Sequence, residues 1–201
     1  MRISVILAHP SAGSFNHAIA ETAVRVLTAS GHDLVFHDLY REKFDPVLTA
    51  GEMEHGPDEG SLVALHCWET VRANGIVIIH PNWWGQPPAI LKGWIDRVLR
   101  PGVAYRFEEN DRGEGVPVGL LKARAALIFN TSNTPEVREN AVFGDPLEGL
   151  WRRCIFELCG VPSVRRIVYR VVVTSTQAQR KAWLDEAAAS VREYFREGSI
   201  S

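Results

Sequence analysis

The sequence predicts an α/β fold in which a five-stranded parallel sheet is covered by helices on both faces. Three observations carry this expectation. Short apolar runs alternate with helix-period patterns along the whole chain. The third run, "GIVIIH" (75–80), is continuously apolar, as in a strand buried on both faces. No linker or internal repeat divides the 201 residues, so residues 1–201 read as one domain. Parallel neighbours need crossover connections, and these connections carry the helices.

Taken in order, "RISVILA" (2–8) reads as the first strand. Phe15, Ile19, Ala23, Val26 and Leu27 recur at helical spacing behind it, and Gly31 ends that helix. "DLVFHDL" (33–39) is the second strand, followed by a long polar excursion from Tyr40 to Gly60. Leu62, Leu65, Cys67, Trp68 and Val71 mark a second helix, and 75–80 the third strand. Ile90, Leu91, Trp94, Ile95, Val98 and Leu99 line a third helix, with Pro87 and Pro88 at its start, where proline is tolerated. "ARAALIFN" (123–130) is the fourth strand. Leu147, Leu150, Trp151, Ile155 and Leu158 form a fourth helix, ended by Gly160 and Pro162. "VRRIVYRVVV" (164–173) is the fifth strand, and Trp183, Ala187, Val191, Tyr194 and Phe195 give the last helix its apolar face.

Composition removes several function classes. A formal charge of −2 lacks the basic excess of a nucleic-acid surface. No window approaches the ~18 consecutive apolar residues of a membrane span. "MRISVILAHP" has too short an apolar run for a signal peptide, so the cytoplasm is the expected location. Cys67, Cys154 and Cys159 stand at no metal-ligand spacing; Cys154 and Cys159 read as small core residues of the fourth helix. The seven histidines include no HExxH pair, which leaves a zinc hydrolase unsupported and no metal expected.

In open parallel sheets, ligands lie beyond the carboxyl ends of the strands, near the point where strand order reverses. The loops there are chemically dense. After the first strand comes "HPSAGSFN": Gly13 for a close turn, Ser14 as helix cap or phosphate donor, Asn16 and His9 as further donors. Helix N-termini leave amide N–H groups free for anions, so the loop reads as a phosphate cradle. Neither GxGxxG nor GxxxxGK[ST] is present, and "SAGSF" is not a GxSxG elbow. After the third strand comes "HPNWWGQPP". Trp83 and Trp84 cannot both point into a core at a strand's period, and Gly85 lets backbone approach a flat ligand. After the fourth strand, Asn130, Thr131, Ser132, Asn133 and Thr134 supply five consecutive hydrogen-bonding side chains, suited to the imide edge of a pyrimidine-like ring. A cradle, an aromatic-walled slot and a polar rim at one sheet edge fit a flavin nucleotide.

The segments "ILAHPSAGSFN", "HPNWWGQPPAILKGWIDRVLRPGVAY" and "FGDPLEGLWRRCIFELCGV" resemble the flavodoxin-like NAD(P)H:quinone oxidoreductases. That family includes mammalian quinone reductases, bacterial modulator-of-drug-activity proteins and ancillary subunits of potassium efflux systems. "DLYREKFDPVL" matches as well, so the resemblance runs from residue 3 to about 185. It implies a flavodoxin-like three-layer sandwich with sheet order 2-1-3-4-5, acting as a homodimer with the flavin at the subunit interface. It also implies that His9, Ser14, Phe15 and Asn16 hold the phosphate or diphosphate. Pro81, Asn82, Trp83, Trp84 and Gly85 would support the ring, with Thr131 and Ser132 at its other edge; Asn130 and Asn133 join the expected binding set from the polar run itself. Arg180 matches a basic residue that reaches the nucleotide tail in some members. Tyr105 and Phe107 sit where the family offers aromatic residues to the partner subunit's pocket, and with Phe143 they make the expected substrate pocket.

The implied activity is hydride transfer from NAD(P)H to the flavin N5 and on to a quinone or similar small aromatic acceptor. A flavin-binding regulatory subunit of a membrane transporter is the alternative within the same family. His9 and Arg180 favour a diphosphate and so FAD; the lack of an adenine-stacking aromatic between Tyr40 and Gly60 favours FMN, and the balance falls to FAD. Three departures stand out. Family members carry a glycine pair where this chain has Ser132 and Asn133, and a histidine where it has Phe143. They also carry a tyrosine a few residues upstream, whereas no tyrosine lies between 106 and 168 here. No side-chain acid or base is therefore assigned.

Overall fold

The computed structural model describes residues 1–108, 115 and 117–196. Five strands form one parallel sheet: β1 (Arg2–Leu7), β2 (Asp33–Asp38), β3 (Gly75–Pro81), β6 (Ala125–Ser132) and β7 (Ser163–Arg170), in the order β2-β1-β3-β6-β7. Counted along the five strands this is 2-1-3-4-5, the expected flavodoxin-like order. Between β3 and β6 the chain also makes a small antiparallel pair, β4 (Tyr105–Phe107) and β5 (Pro117–Gly119).

The residue pattern explains the layers. β3 and β6 are buried at every position, as continuous apolar runs at the centre of a doubly covered sheet should be. On one face lie α1 (Phe15–Ala29) and α7 (Gln177–Tyr194), packing Ile19, Ala23, Val26, Leu27, Ala187 and Val191 onto Ile3, Val5, Val77 and Leu127. The other face carries α3 (Leu62–Arg72), α4 (Ala89–Val98) and the helical stretch 146–157, whose Trp94, Trp151 and Phe156 are almost fully buried against Ile76, Ile78 and Ile128. Among the described residues, no helix is long and apolar enough to cross a membrane.

Several elements differ from the sequence expectation. The excursion after β2 contains α2 (Ala50–His55), tied down by the buried carboxylate of Glu52 between Arg97 and Arg100. Between β6 and β7, a single turn α5 (Glu136–Arg138) widens into a π-helix (Glu139–Phe143), and α6 (Pro146–Gly149) widens into another (Leu150–Glu157). The helical phase there differs from 3.6 residues per turn, and Cys154 emerges exposed while Cys159 and Cys67 are buried. Cys154 is thus not the core residue its apolar context suggested. β7 stops at Arg170, and Val172–Thr174 turn instead as a short 3-10 helix.

Candidate functional site

Strand order reverses beside β1, and β1, β3 and β6 lie adjacent there, so the loops leaving their carboxyl ends open into one space. They line a cavity of about 490 Å³. The first loop contributes His9, Ser14, Phe15 and Asn16; the second Pro81, Asn82 and Trp83; the third Thr131, Ser132, Asn133 and Thr134. Val172, Val173 and Arg180 close the far rim from the segment after β7.

The first loop brings α1 to the cavity by its amino end. Ser14 is the N-cap: its hydroxyl oxygen accepts the His17 N–H at 3.3 Å. His17 Nε2 donates to Asp38 Oδ2 at 3.2 Å, the tautomer that leaves Nδ1 to accept from the Ser14 hydroxyl at 2.9 Å. The cap is thereby used on both sides, and the open donors of this turn are the backbone N–H groups of Phe15 and Asn16. Gly13 makes the approach possible with φ at 79°. His9 Nδ1 accepts the Ser11 N–H at 3.1 Å, so Nε2 carries the proton. Burial outweighs the other influences and lowers the His9 pKa below 6.5, which makes it a neutral donor at pH 7 rather than a positive charge. Arg180 supplies the cation: Nε donates to Ser175 Oγ at 2.8 Å and Nη2 to the Val172 carbonyl at 3.2 Å, leaving Nη1 without a hydrogen bond among the described residues.

The second and third loops are bonded to each other and to the first. Asn16 Nδ2 donates to Thr131 Oγ1 at 2.9 Å, and the Asn82 backbone N–H donates to the Thr131 carbonyl at 2.7 Å. Trp83 and Gln86 pair through two backbone hydrogen bonds, so Trp84 and Gly85 occupy the tip of a two-residue turn. Trp83 presents its ring to the cavity at 41% exposure, whereas Trp84 is wholly exposed.

A second cavity, about 500 Å³, adjoins the first through the shared residues Asn82 and Thr134. Trp84, Gly85, Phe143 and Pro146 wall it, and the buried carboxylate of Glu139 faces it. Trp84, Gly85 and Phe143 therefore meet each other here and not in the first cavity. Asn130 enters neither. Because β6 runs to Ser132, Asn130 is a fully buried strand residue beneath the loops. There it donates to His80 Nε2 at 2.8 Å and accepts from Arg166 Nε at 2.6 Å, while Arg166 grips Asp145 with two bonds of 2.8 Å. His80 Nε2 also accepts from Trp151 Nε1 at 2.9 Å, and Nδ1–H donates to the Pro81 carbonyl at 2.8 Å. Burial pushes the His80 pKa down to about 3, so the ring stays neutral and fixes the first residue of the tryptophan loop. Tyr105 and Phe107 lie elsewhere, along a smaller groove with Leu99, Cys154 and Leu158.

Sequence reasoning did not single out His17, Glu139, Val172 or Val173 as site residues. The two valines read as continuing strand, since nothing in "VVV" marks the turn. Glu139 sits in a stretch with no helical period to place it. His17 falls on the polar side of α1 and carries no motif. Thr134 had a signal, as the last of five small polar residues, yet it stands outside the expected lining set.

Chemically, the first cavity brings together N–H donors, a guanidinium, an indole wall and hydroxyls. That donor set fits a phosphorylated ligand with a flat heteroaromatic head. Comparison with known proteins agrees in fold and kind. Residues 1–195 match the family model described as flavodoxin-like fold. An uncharacterized NAD(P)H oxidoreductase of Haemophilus influenzae is 33% identical over 92% of this chain and 91% of its own. NAD(P)H dehydrogenase [quinone] 1 of Rattus norvegicus is 31% identical over 89% of this chain and 72% of its own. The solved NAD(P)H:quinone oxidoreductase of Methanothermobacter marburgensis superposes with a TM-score of 0.78 at 25% identity, covering 96% of each chain. With its fold, its sheet order and these relatives, the chain belongs to the flavodoxin-like NAD(P)H:quinone oxidoreductase family.

Proposed function

We propose that this chain is a flavin-dependent NAD(P)H oxidoreductase that passes two electrons, by hydride exchange, to a quinone or similar small aromatic acceptor. The observation that carries the proposal is the cross-bonding of three strand-end loops around one cavity lined by hydrogen-bond donors and an indole. The named activities of the Haemophilus and rat relatives support the nicotinamide donor, and the rat relative's name supports the quinone acceptor.

The bound flavin would supply the hydride chemistry; the protein's work is binding, orientation and exclusion of water. The N–H groups of Phe15 and Asn16 hold the phosphate at the positive end of α1. Arg180 at the outer rim takes the next phosphate, which favours FAD over FMN. Trp83 packs along the ring, while Thr131, Ser132 and Asn133 offer hydrogen bonds to its edge. The acceptor enters the second cavity between Trp84, Phe143 and Pro146, an apolar slot for a flat ring. In a homodimer, Tyr105 and Phe107 would come from the partner's small hairpin to complete that slot.

The test is turnover. Chain loaded with FAD should oxidise NADH or NADPH with one quinone consumed per nucleotide and no superoxide-dependent cytochrome c reduction. Cytochrome c reduction through superoxide would refute the two-electron step, and no nucleotide oxidation by flavin-loaded chain would refute the enzyme.

A further inference from the structure

Trp84 has φ of 58°, a left-handed backbone that a bulky side chain seldom adopts. With Gly85 at φ 70° it forms a turn in which both central residues are positive, closed by hydrogen bonds of 3.0 and 3.1 Å between Trp83 and Gln86. Such turns favour Asn-Gly, so Trp84 is there against its own preference. The Trp84 N–H has no hydrogen-bond partner among the described residues, and Trp84 lines the second cavity.

The restraint on this turn comes from Asn82. Its Oδ1 accepts the Gly85 N–H at 2.9 Å, and its Nδ2 donates to Glu139 Oε1 at 3.1 Å. A side-chain amide can present either end, but a carboxylate only accepts. Glu139 therefore dictates which end of Asn82 faces Gly85. The carboxylate is itself held: Glu139 is 2% exposed, and Arg170 lies 3.8 Å behind its second oxygen.

We propose that Glu139 is a positioning residue that acts through Asn82 to hold the Trp84–Gly85 turn in the conformation that walls the second cavity. What enters that cavity rests on the acceptor reading above; the geometry does not.

The test uses Glu139→Leu, Asn82→Asp and the pair Asn82→Asp with Glu139→Gln. In the pair, the introduced glutamine amide donates to the introduced aspartate, which again accepts from Gly85, so the relay is rebuilt with its polarity reversed. Two readouts are taken on the whole chain: the fluorine resonance of Trp84 after 5-fluorotryptophan labelling, assigned by its loss in Trp84→Phe, and the KM for a quinone acceptor in the FAD-loaded chain. Either single variant should broaden or split the Trp84 resonance and raise that KM about tenfold, as loss of one buried charge-assisted hydrogen bond does. The pair should restore a single resonance and a KM within about twofold of the starting chain. A pair as impaired as Asn82→Asp alone, or an unperturbed Trp84 resonance in Glu139→Leu, overturns the proposal. Should Glu139→Leu not fold, the isosteric variants decide by themselves. Failure of the unaltered chain to bind FAD would remove the flavin reading, and the Trp84 resonance would still judge Glu139.

Discussion

The side-chain amide of Asn16, in the first turn of α1, donates to the hydroxyl of Thr131 near the end of β6 at 2.9 Å. Both groups are buried, and 115 residues of sequence separate them. This bond fastens the loop after β1 to the loop after β6, so the shape of the cavity depends on it.

Asn16→Ala should therefore cost about 1–3 kcal/mol of stability, the range for an orphaned buried polar partner, and should also weaken flavin binding. Ser14→Ala removes a helix cap worth about 1 kcal/mol, and leaves the Phe15 and Asn16 N–H groups in place. Urea unfolding and flavin titration of both single variants check the contrast. Equal flavin affinity in Asn16→Ala and the unaltered chain would contradict the tie between the loops.

Gly85 has two reasons to be glycine: φ is 70°, and a Cβ there would stand 2.7 Å from Pro146 Cγ. Gly85→Ala should thus displace the turn from Pro146 and open the second cavity. Acceptor KM should rise while the melting temperature falls only slightly, since the turn is at the surface. Steady-state kinetics with a quinone series measures this.

Beneath the site, His80→Leu would leave the buried Trp151 Nε1–H without its acceptor, while Asn130 Nδ2 keeps the His80 backbone carbonyl at 3.2 Å. The orphaned indole costs about 1–3 kcal/mol, so this variant should be clearly less stable than the unaltered chain. Thermal unfolding ranks it against Asn16→Ala.

Two histidines should shape the pH dependence of stability in opposite directions. Burial disfavours the charged form of His37, yet the Glu42 and Glu69 carboxylates, each 2.8 Å away, prevail and raise its pKa above 6.5. His66 stacks on it at 3.7 Å, with Trp94 Nε1 donating to His66 Nδ1, and no further cation enters the cluster among the described residues. A raised folded pKa gives stability that is complete below 6.5 and is lost as pH climbs through the raised value. His80 is the reverse: held near 3, it contributes above 6.5 and is lost as pH falls toward 3. Unfolding free energies of His37→Gln against the unaltered chain, followed upward from pH 6.5, should converge as pH rises. Parallel curves would contradict the assignment.

The sheet was legible because its central strands β3 and β6 are continuous apolar runs, and the first loop's part in the cavity because His9, Ser14 and Asn16 crowd one turn. What stayed hidden has local causes. Asn130 ends the expected strand 123–130 and also heads the polar run after it, and only the fold reveals Arg166 and His80 as its buried partners. Three-residue strands such as Tyr105–Phe107 are too short for alternation to register. The π-helical turns carry no 3.6-residue period, which concealed Glu139 and misplaced Cys154. Val172 and Val173 look like strand, and only the end of β7 at Arg170 turns them to the cavity rim.

The most direct test of the account is the visible spectrum of the chain reconstituted with FAD or FMN, freed of excess ligand, then treated anaerobically with NADH or NADPH. The account predicts retained flavin bands that bleach on addition of the nucleotide, with FAD retained better than FMN and Arg180→Ala removing that preference. A chain that retains neither flavin would contradict the cradle formed by Phe15, Asn16 and Arg180, and retained flavin that no nicotinamide bleaches would contradict the oxidoreductase.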